Sequence, residues 1–339
     1  MLPSRPSCVY RKPIRIRNVD SLNVESEFRI ISGFLKDYPF ISMDTEFPGV
    51  VYHNVPDTPD SVASDRYALL RANINALKLI QVGLTFSDSA SNLPDLGTNY
   101  CYVWQFNFNF DPWCDLHAPE SIELLRKNGI DFERNRFYGI DEARFGFLMK
   151  LCGLVGNNCF SWITFHSAYD FGYLIKVVTQ RELPDEIGEF LKLMKDIFGY
   201  KVYDIKYLMR FCHNLYGGLE RVANELGVDR AVGKCHQAAS DSLLTLHVFT
   251  RLKDRGFQLY VPDHCGVLYG LKYPSGNLRI LIEEKAIGSS SSKDAAALSS
   301  SLDGVYKVRF KGARVLHSSY LGGSSDSSDD EDQIGVYAV

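Results

Sequence analysis

Phe40-Ile41-Ser42-Met43-Asp44-Thr45-Glu46 is a largely apolar run that closes on two acids, and Phe47-Pro48-Gly49 follows it at once. Residues two apart on a strand point to the same side of a sheet, so both carboxylates face one way, about 7 Å apart along the strand. Buried acids on one face repel each other unless a positive charge lies between them. For hard oxygen ligands that charge is most often a divalent cation. The stretch therefore predicts a strand carrying part of a metal site. If the chain brings further carboxylates to the same point, the reading is a metal-dependent hydrolase. Taken alone, an Asp-x-Glu is also an ordinary polar strand end.

Two later segments offer such carboxylates. Ser161 to His166 reads as a strand, and Ser167-Ala168-Tyr169-Asp170 opens a helix that continues through Phe171, Leu174, Ile175 and Val178. Cys235-His236-Gln237-Ala238-Ala239-Ser240-Asp241 runs into a helix with Leu244, Val248 and Leu252 at four-residue spacing. His236 and Asp241 are a poor match for one helix face, which places His236 on the entering loop and Asp241 in the first turn. Each piece has a plainer account. Ser167-x-x-Asp170 fits a capping box, Asp241 suits the positive end of a helix dipole, and a lone His236 is as readily a surface or satisfied core residue. The ordered set, Asp-x-Glu on a strand, Asp at a helix start and His-x4-Asp at another, is harder to explain piecemeal.

That set resembles the DEDD exonuclease superfamily in its histidine-containing branch. The stretches Met43 to Val50, Phe165 to Lys176 and His236 to Thr245 are similar to the three motifs of the CAF-type deadenylases, the poly(A)-trimming subunits of the CCR–NOT complex. Lys78 to Leu84, Trp104 to Phe108, Tyr203 to Met209 and Gly217 to Glu220 also look familial, so the resemblance runs from about Ile14 to Leu271. Ala168 and Ala239 stand where many relatives have glycine, and neither carries a functional group.

The resemblance implies an α/β, ribonuclease-H-like mixed sheet flanked by helices. It also implies two divalent cations, Mg²⁺ or Mn²⁺. Asp44, Glu46 and Asp241 would hold the first; Asp44 and Asp170 would serve the second. His236 would be the general base, with Phe47 and His166 beside the RNA. Phe47 is equally an ordinary core ring. The implied reaction is 3′–5′ removal of poly(A) with release of 5′-AMP. The implied partners are the 3′ end of poly(A) RNA, the CCR–NOT helical-repeat scaffold and a second deadenylase. Two alternatives stay open: a catalytically silent adaptor between scaffold and a second nuclease, and another DEDD exonuclease acting on DNA or small RNA.

Composition bounds the rest. The 339 residues are 45% hydrophobic and 13% aromatic, enough for a sizeable core, and no apolar run approaches the ~20 residues of a membrane span. Net charge is -4, and five acids, Asp326, Asp329, Asp330, Glu331 and Asp332, fall near the end. Without them 37 basic residues face 36 acidic ones. A broad basic surface is absent, which disfavours strong non-specific duplex DNA binding. The eight cysteines form no paired ligand spacing and read as reduced thiols, pointing away from a zinc site and toward the nucleus and cytoplasm.

The arginine-rich, acid-free start could be read as a transit peptide, but Ile14 to Val19 alternates like a strand. The chain thus divides into a short arm (1–13), a nuclease domain (14–271), an extension (272–321) with strand-like Leu278 to Ile282 and Val305 to Phe310, and an acidic Ser/Asp-rich tail (322–339) expected to be disordered. Within the domain, Trp104, Phe106, Phe108 and Phe110 alternate with Gln105, Asn107 and Asn109, the clearest period-two signal and a core stripe.

Overall fold

The Phe40–Glu46 run forms the fourth strand of a six-stranded mixed sheet. In chain order the strands are β1 (Ile14–Val19), β2 (Phe40–Glu46), β3 (Gln81–Ser87), β4 (Cys101–Asn107), β5 (Ser161–Thr164) and β6 (Val202–Asp204), and across the sheet they lie in the order β1-β4-β3-β2-β5-β6. β3 runs antiparallel to both β2 and β4; the β1–β4, β2–β5 and β5–β6 pairs are parallel. The computed structural model describes residues 12–53, 63–212, 214–255 and 264–271, all within one compact unit. Residues 1–11 of the expected arm, the strand-like segments of the extension and the acidic tail lie outside the described residues.

Ten α-helices are described: α1 (Val24–Phe34), α2 (Ala63–Ala76), α3 (Pro119–Lys127), α4 (Phe132–Tyr138), α5 (Glu142–Leu151), α6 (Ala168–Thr179), α7 (Ile187–Phe198), α8 (Ile205–Leu208), α9 (Leu219–Leu226) and α10 (Ala238–Asp254). The sheet's alternation sorts side chains into two layers. Ile41, Met43, Val82, Leu84, Phe86, Trp104, Phe106 and Trp162 join one core with α1, α2, α5, α6 and α7. Cys101, Val103, Ile163 and Tyr203 join a second with α9 and α10. The period-two aromatics are fully buried, as expected of a core stripe.

Two elements differ from the pattern reading. The apolar run Leu77 to Phe86 reads as one buried strand, yet β3 starts only at Gln81, because the backbone before it is held elsewhere: Leu77 N–H closes α2 on Asn73 O, Leu79 N–H donates to the Glu142 carboxylate at 2.8 Å and Ile80 N–H to Glu46 O at 2.9 Å. α4 was not expected. Its seven residues, Phe-Glu-Arg-Asn-Arg-Phe-Tyr, are too few and too polar for a periodic signal, and Asp131 starts it by accepting the Arg134 N–H.

Candidate active site

β2 presents a different chemistry on each side. Ile41, Met43 and Phe47 face the α6 layer, whereas Ser42 points at α10, where its Oγ donates to the Ser242 carbonyl at 2.7 Å. Asp44 and Glu46 share that second side by the strand period. α10 can approach because Asp44 pairs with Gly83 of β3. A Cβ at Gly83 would lie 1.9 Å from the Ala238 oxygen and 2.4 Å from the Ala239 nitrogen. Thr85 Oγ1 and Ser242 Oγ, 2.8 Å apart, pin the same turn. Asp241, in that first turn, is thereby set against β2: oxygen atoms of Asp44, Glu46 and Asp241 lie within 4.8 Å of one another.

Asp170 comes over the end of β2 from the opposite layer. Thr45, between the two strand acids and facing the other way, donates its hydroxyl to Asp170 Oδ1 at 2.8 Å. The capping-box account of Asp170 does not hold. Ser167 makes no side-chain cap bond; its Oγ instead accepts from Thr164 Oγ1 at 2.6 Å. The turn before α6 is held by Asp204, which is fully buried. One of its oxygens accepts the N–H groups of His166 and Lys206 at 2.8 and 3.0 Å, the other those of Tyr269 and Ser167 at 2.9 and 3.3 Å. Its capping of α8 through the Lys206 N–H is one part of a wider brace.

All four acids are buried, and their charges are strained. Burial first, then the neighbouring acids Asp241 and Asp170, push the Asp44 and Glu46 carboxyls well above the usual carboxylate range. Burial also raises Asp170 to about 7, against the pull of the Thr45 hydroxyl. It raises Asp241 too, opposed by Arg230, whose Nη2 lies 2.6 Å from Asp241 Oδ1. Among the described residues Asp44 Oδ2, Glu46 Oε1 and Asp241 Oδ1 accept no hydrogen bond, the last facing Arg230 as an ion pair only. Buried acceptors left open beside like charges fit a hard divalent cation, which would satisfy the oxygens and cancel the repulsion. Asp44, Glu46 and Asp241 could hold one ion, with Asp170 at the edge of the group.

His236 sits on the loop into α10, as its spacing predicted, in a left-handed conformation (φ 58°). Its N–H donates to Asp241 Oδ2 at 2.8 Å, and its ring reaches within 4.8 Å of an Asp241 oxygen and of the Cys235 sulfur. Phe47 is corrected: it is core. It is 2% exposed, stacked on Tyr169 at 5.0 Å and tilted against Tyr173 at 5.2 Å. Strand parity explains this, since Phe47 falls on the Ile41 side. His166 is half-buried, left-handed (φ 60°) and edge-on to Tyr269 at 5.0 Å.

A family model described as CAF1 family ribonuclease matches residues 19–141. The Arabidopsis thaliana protein called probable CCR4-associated factor 1 homolog 10 is 51% identical over 265 residues, 78% of this chain and 94% of that relative. The chain belongs to the CAF1 family of ribonucleases. The poly(A) ribonuclease pop2 of Schizosaccharomyces pombe is 44% identical over 76% of this chain and 75% of that relative. The solved structure of S. pombe Pop2p in its Mg²⁺ and Mn²⁺ bound form superposes with a TM-score of 0.70, at 44% identity, over 76% of this chain and 99% of that one. A yeast CAF1 co-crystallised with the NOT1 MIF4G domain matches with a TM-score of 0.61 at 30% identity, over 75% of this chain and 96% of that one. The CAF1 fold is the ribonuclease-H-like one that the motifs implied. Sequence reasoning passed over Gly83, Thr45 and Arg230. Thr45 could have been found by parity, and Arg230 by asking which cation near His236 answers so many acids.

Proposed function

We propose that the protein shortens the poly(A) tails of messenger RNA from the 3′ end, releasing 5′-AMP, within a CCR–NOT type assembly. The observation that carries this is the convergence of Asp44, Glu46 and Asp241, with open buried oxygens, the His236 ring close to Asp241 and Asp170 nearby. Two divalent cations, Mg²⁺ or Mn²⁺, would supply a polarised phosphodiester, an acidified water and a neutralised leaving oxygen.

The chain's own residues do the rest. Asp44, Glu46 and Asp241 would hold one ion, and Asp44 and Asp170 would serve the second. Thr45 fixes the Asp170 carboxylate, and Arg230 and the His236 N–H fix the two Asp241 oxygens. The His236 ring would take the proton from the attacking water as general base, held beside the group by its N–H bond to Asp241. His166, partly exposed on the turn before Asp170, is assigned to the RNA strand; His166→Ala should raise KM for RNA, and an unchanged KM removes it from the site.

Preference for adenosine and attachment to a helical-repeat scaffold are supported by the likeness to the S. pombe poly(A) ribonuclease and to the yeast CAF1 crystallised with NOT1 MIF4G. Association with a second deadenylase extends the same reading, and co-purification from cells lacking the scaffold tests whether that contact is direct. Residence in cytoplasm and nucleus rests on the unpaired cysteine spacing; a tagged chain found only inside an organelle would refute it.

The deciding experiment supplies purified protein and Mg²⁺ or Mn²⁺ with A-tailed RNA, mixed-sequence RNA and single-stranded DNA, beside Asp44→Ala. Stepwise 3′ shortening of the A-tail, lost in the variant, is the expected outcome. Equal digestion of DNA would reassign the enzyme to another nuclease class. Inactivity with intact scaffold binding would make it an adaptor.

A further inference from the structure

The acid group contains a positive charge of its own. Arg230, with a side chain 14% exposed, lies between α9 and α10, its Nη2 2.6 Å from Asp241 Oδ1. Nη1 donates to Ser240 Oγ at 2.5 Å and to the Lys234 carbonyl at 3.3 Å; Nε and Nη2 donate to Glu220 Oε1 at 3.0 and 2.8 Å. The other Asp241 oxygen accepts the His236 N–H. One guanidinium thus meets the Asp241 carboxylate, the first turn of α10 at Ser240 and, at the Lys234 carbonyl, the loop that carries His236. Its field also reaches Asp44 and Glu46, where it favours the ionised form. A cation in this position does two opposed things. It holds ligand and base in place, and it repels any other cation brought to the same oxygens.

We propose that Arg230 is a positioning residue that raises turnover while weakening the grip of Asp44, Glu46 and Asp241 on a divalent ion. The proposal rests on the two-ion reading above. It separates Arg230 from a residue that merely stabilises the fold, whose loss would lower metal binding and turnover together. It also separates charge from shape. A lysine keeps the charge but, as a compact ammonium, cannot serve Asp241, Ser240, Lys234 and Glu220 at once.

The test measures Mn²⁺ binding to RNA-free protein by titration calorimetry at about pH 8.5, where protons compete least for carboxylates, and kcat and KM on A-tailed RNA. Arg230→Gln should bind Mn²⁺ about tenfold more tightly, while kcat falls about tenfold or more as Asp241 and the His236 loop lose their tether. Arg230→Lys should keep Mn²⁺ affinity within about twofold of the parent and still lose kcat. Unchanged or weaker Mn²⁺ binding in a folded Arg230→Gln overturns the proposal. If that variant does not fold by circular dichroism, Arg230→Lys decides: loss of Mn²⁺ affinity alongside kcat overturns it. A parent protein that binds no Mn²⁺, or Asp44→Ala that binds it equally well, would instead refute the two-ion reading.

Discussion

Gly83→Ala should disable the site without altering any residue that touches metal or substrate. Gly83 lies opposite Asp44 on β3, and its backbone is outside the left-handed region, so alanine is conformationally acceptable there. The obstacle is contact alone. The new methyl carbon would sit 1.9 Å from the Ala238 oxygen, 2.0 Å from its carbonyl carbon and 2.4 Å from the Ala239 nitrogen. These are backbone atoms of the first turn of α10, which cannot rotate away. Reaching even the 3.0 Å floor of real Cβ contacts requires the helix start and β3 to part by about 1.1 Å in an interior packed to crystal density. The overpacking should cost about 1–3 kcal/mol of stability. The displacement moves Asp241 relative to Asp44 and Glu46 by a similar distance, and a misplacement of about 1 Å commonly lowers rate ~10²-fold. Two assays apply: deadenylation rate at saturating Mg²⁺, and the rise in melting temperature on adding Mg²⁺ to EDTA-treated protein. The variant should stay folded by circular dichroism, lose most activity and show a reduced metal-dependent rise. A Gly83→Ala protein with parental turnover and an undiminished rise would refute the argument that this glycine sets the acid spacing.

Three further outcomes follow from the same geometry. The four acids have raised folded-state pKa values, so the metal-free native state holds protons that the unfolded chain releases near ~4; stability should therefore fall as pH climbs from there through about 7, where Asp170 ionises. Melting of EDTA-treated protein should drop between pH 5 and 8 and Mg²⁺ should restore more at pH 8, while a metal-free melting point that rises over this range would count against the reading. Thr45→Val removes a hydrogen bond to a buried carboxylate worth about 1.5–3 kcal/mol and should lower turnover at least about tenfold with little change in KM; an unchanged kcat would show that Asp170 does not need it. Phe47→Ala should cost about 3–5 kcal/mol in urea unfolding, as for a buried aromatic, whereas a loss of RNA affinity with unchanged stability would return Phe47 to the substrate surface.

Much of the site was legible because its local signals are dense. Asp44 and Glu46 follow an apolar strand, Asp170 opens a helix after another strand, and α10 shows regular apolar spacing after His236. The contributors that escaped act through partners on other elements. Thr45 meets Asp170 across 125 positions. Gly83 matters only because Ala238 lies against it. Arg230 gains meaning from Glu220, Ser240 and Asp241 together. Composition carries no record of such meetings, and strand parity gives the side Thr45 faces but not its partner. Phe47 was a different kind of miss, because the information was present: counting from Ile41 in steps of two reaches Met43, Thr45 and Phe47, the side away from the acids.

That parity ties the chemistry to the core. A hydrolytic site needing acids from two layers has to pass information through the sheet, and Asp44-Thr45-Glu46 does this in three residues. The acids face α10 and meet Asp241; the threonine faces α6 and holds Asp170. A one-residue slip of β2 would exchange its two sides at once. Thr45 would then point at α10, the carboxylates would enter the layer containing Ile41, Met43 and Phe47, and both the ion cradle and the aromatic packing on Tyr169 would be lost. Hydrophobic burial opposes the slip as well as metal binding. The metal-free protein can therefore keep its acids converged despite their repulsion, because the register that gathers them is also the register that fills the core.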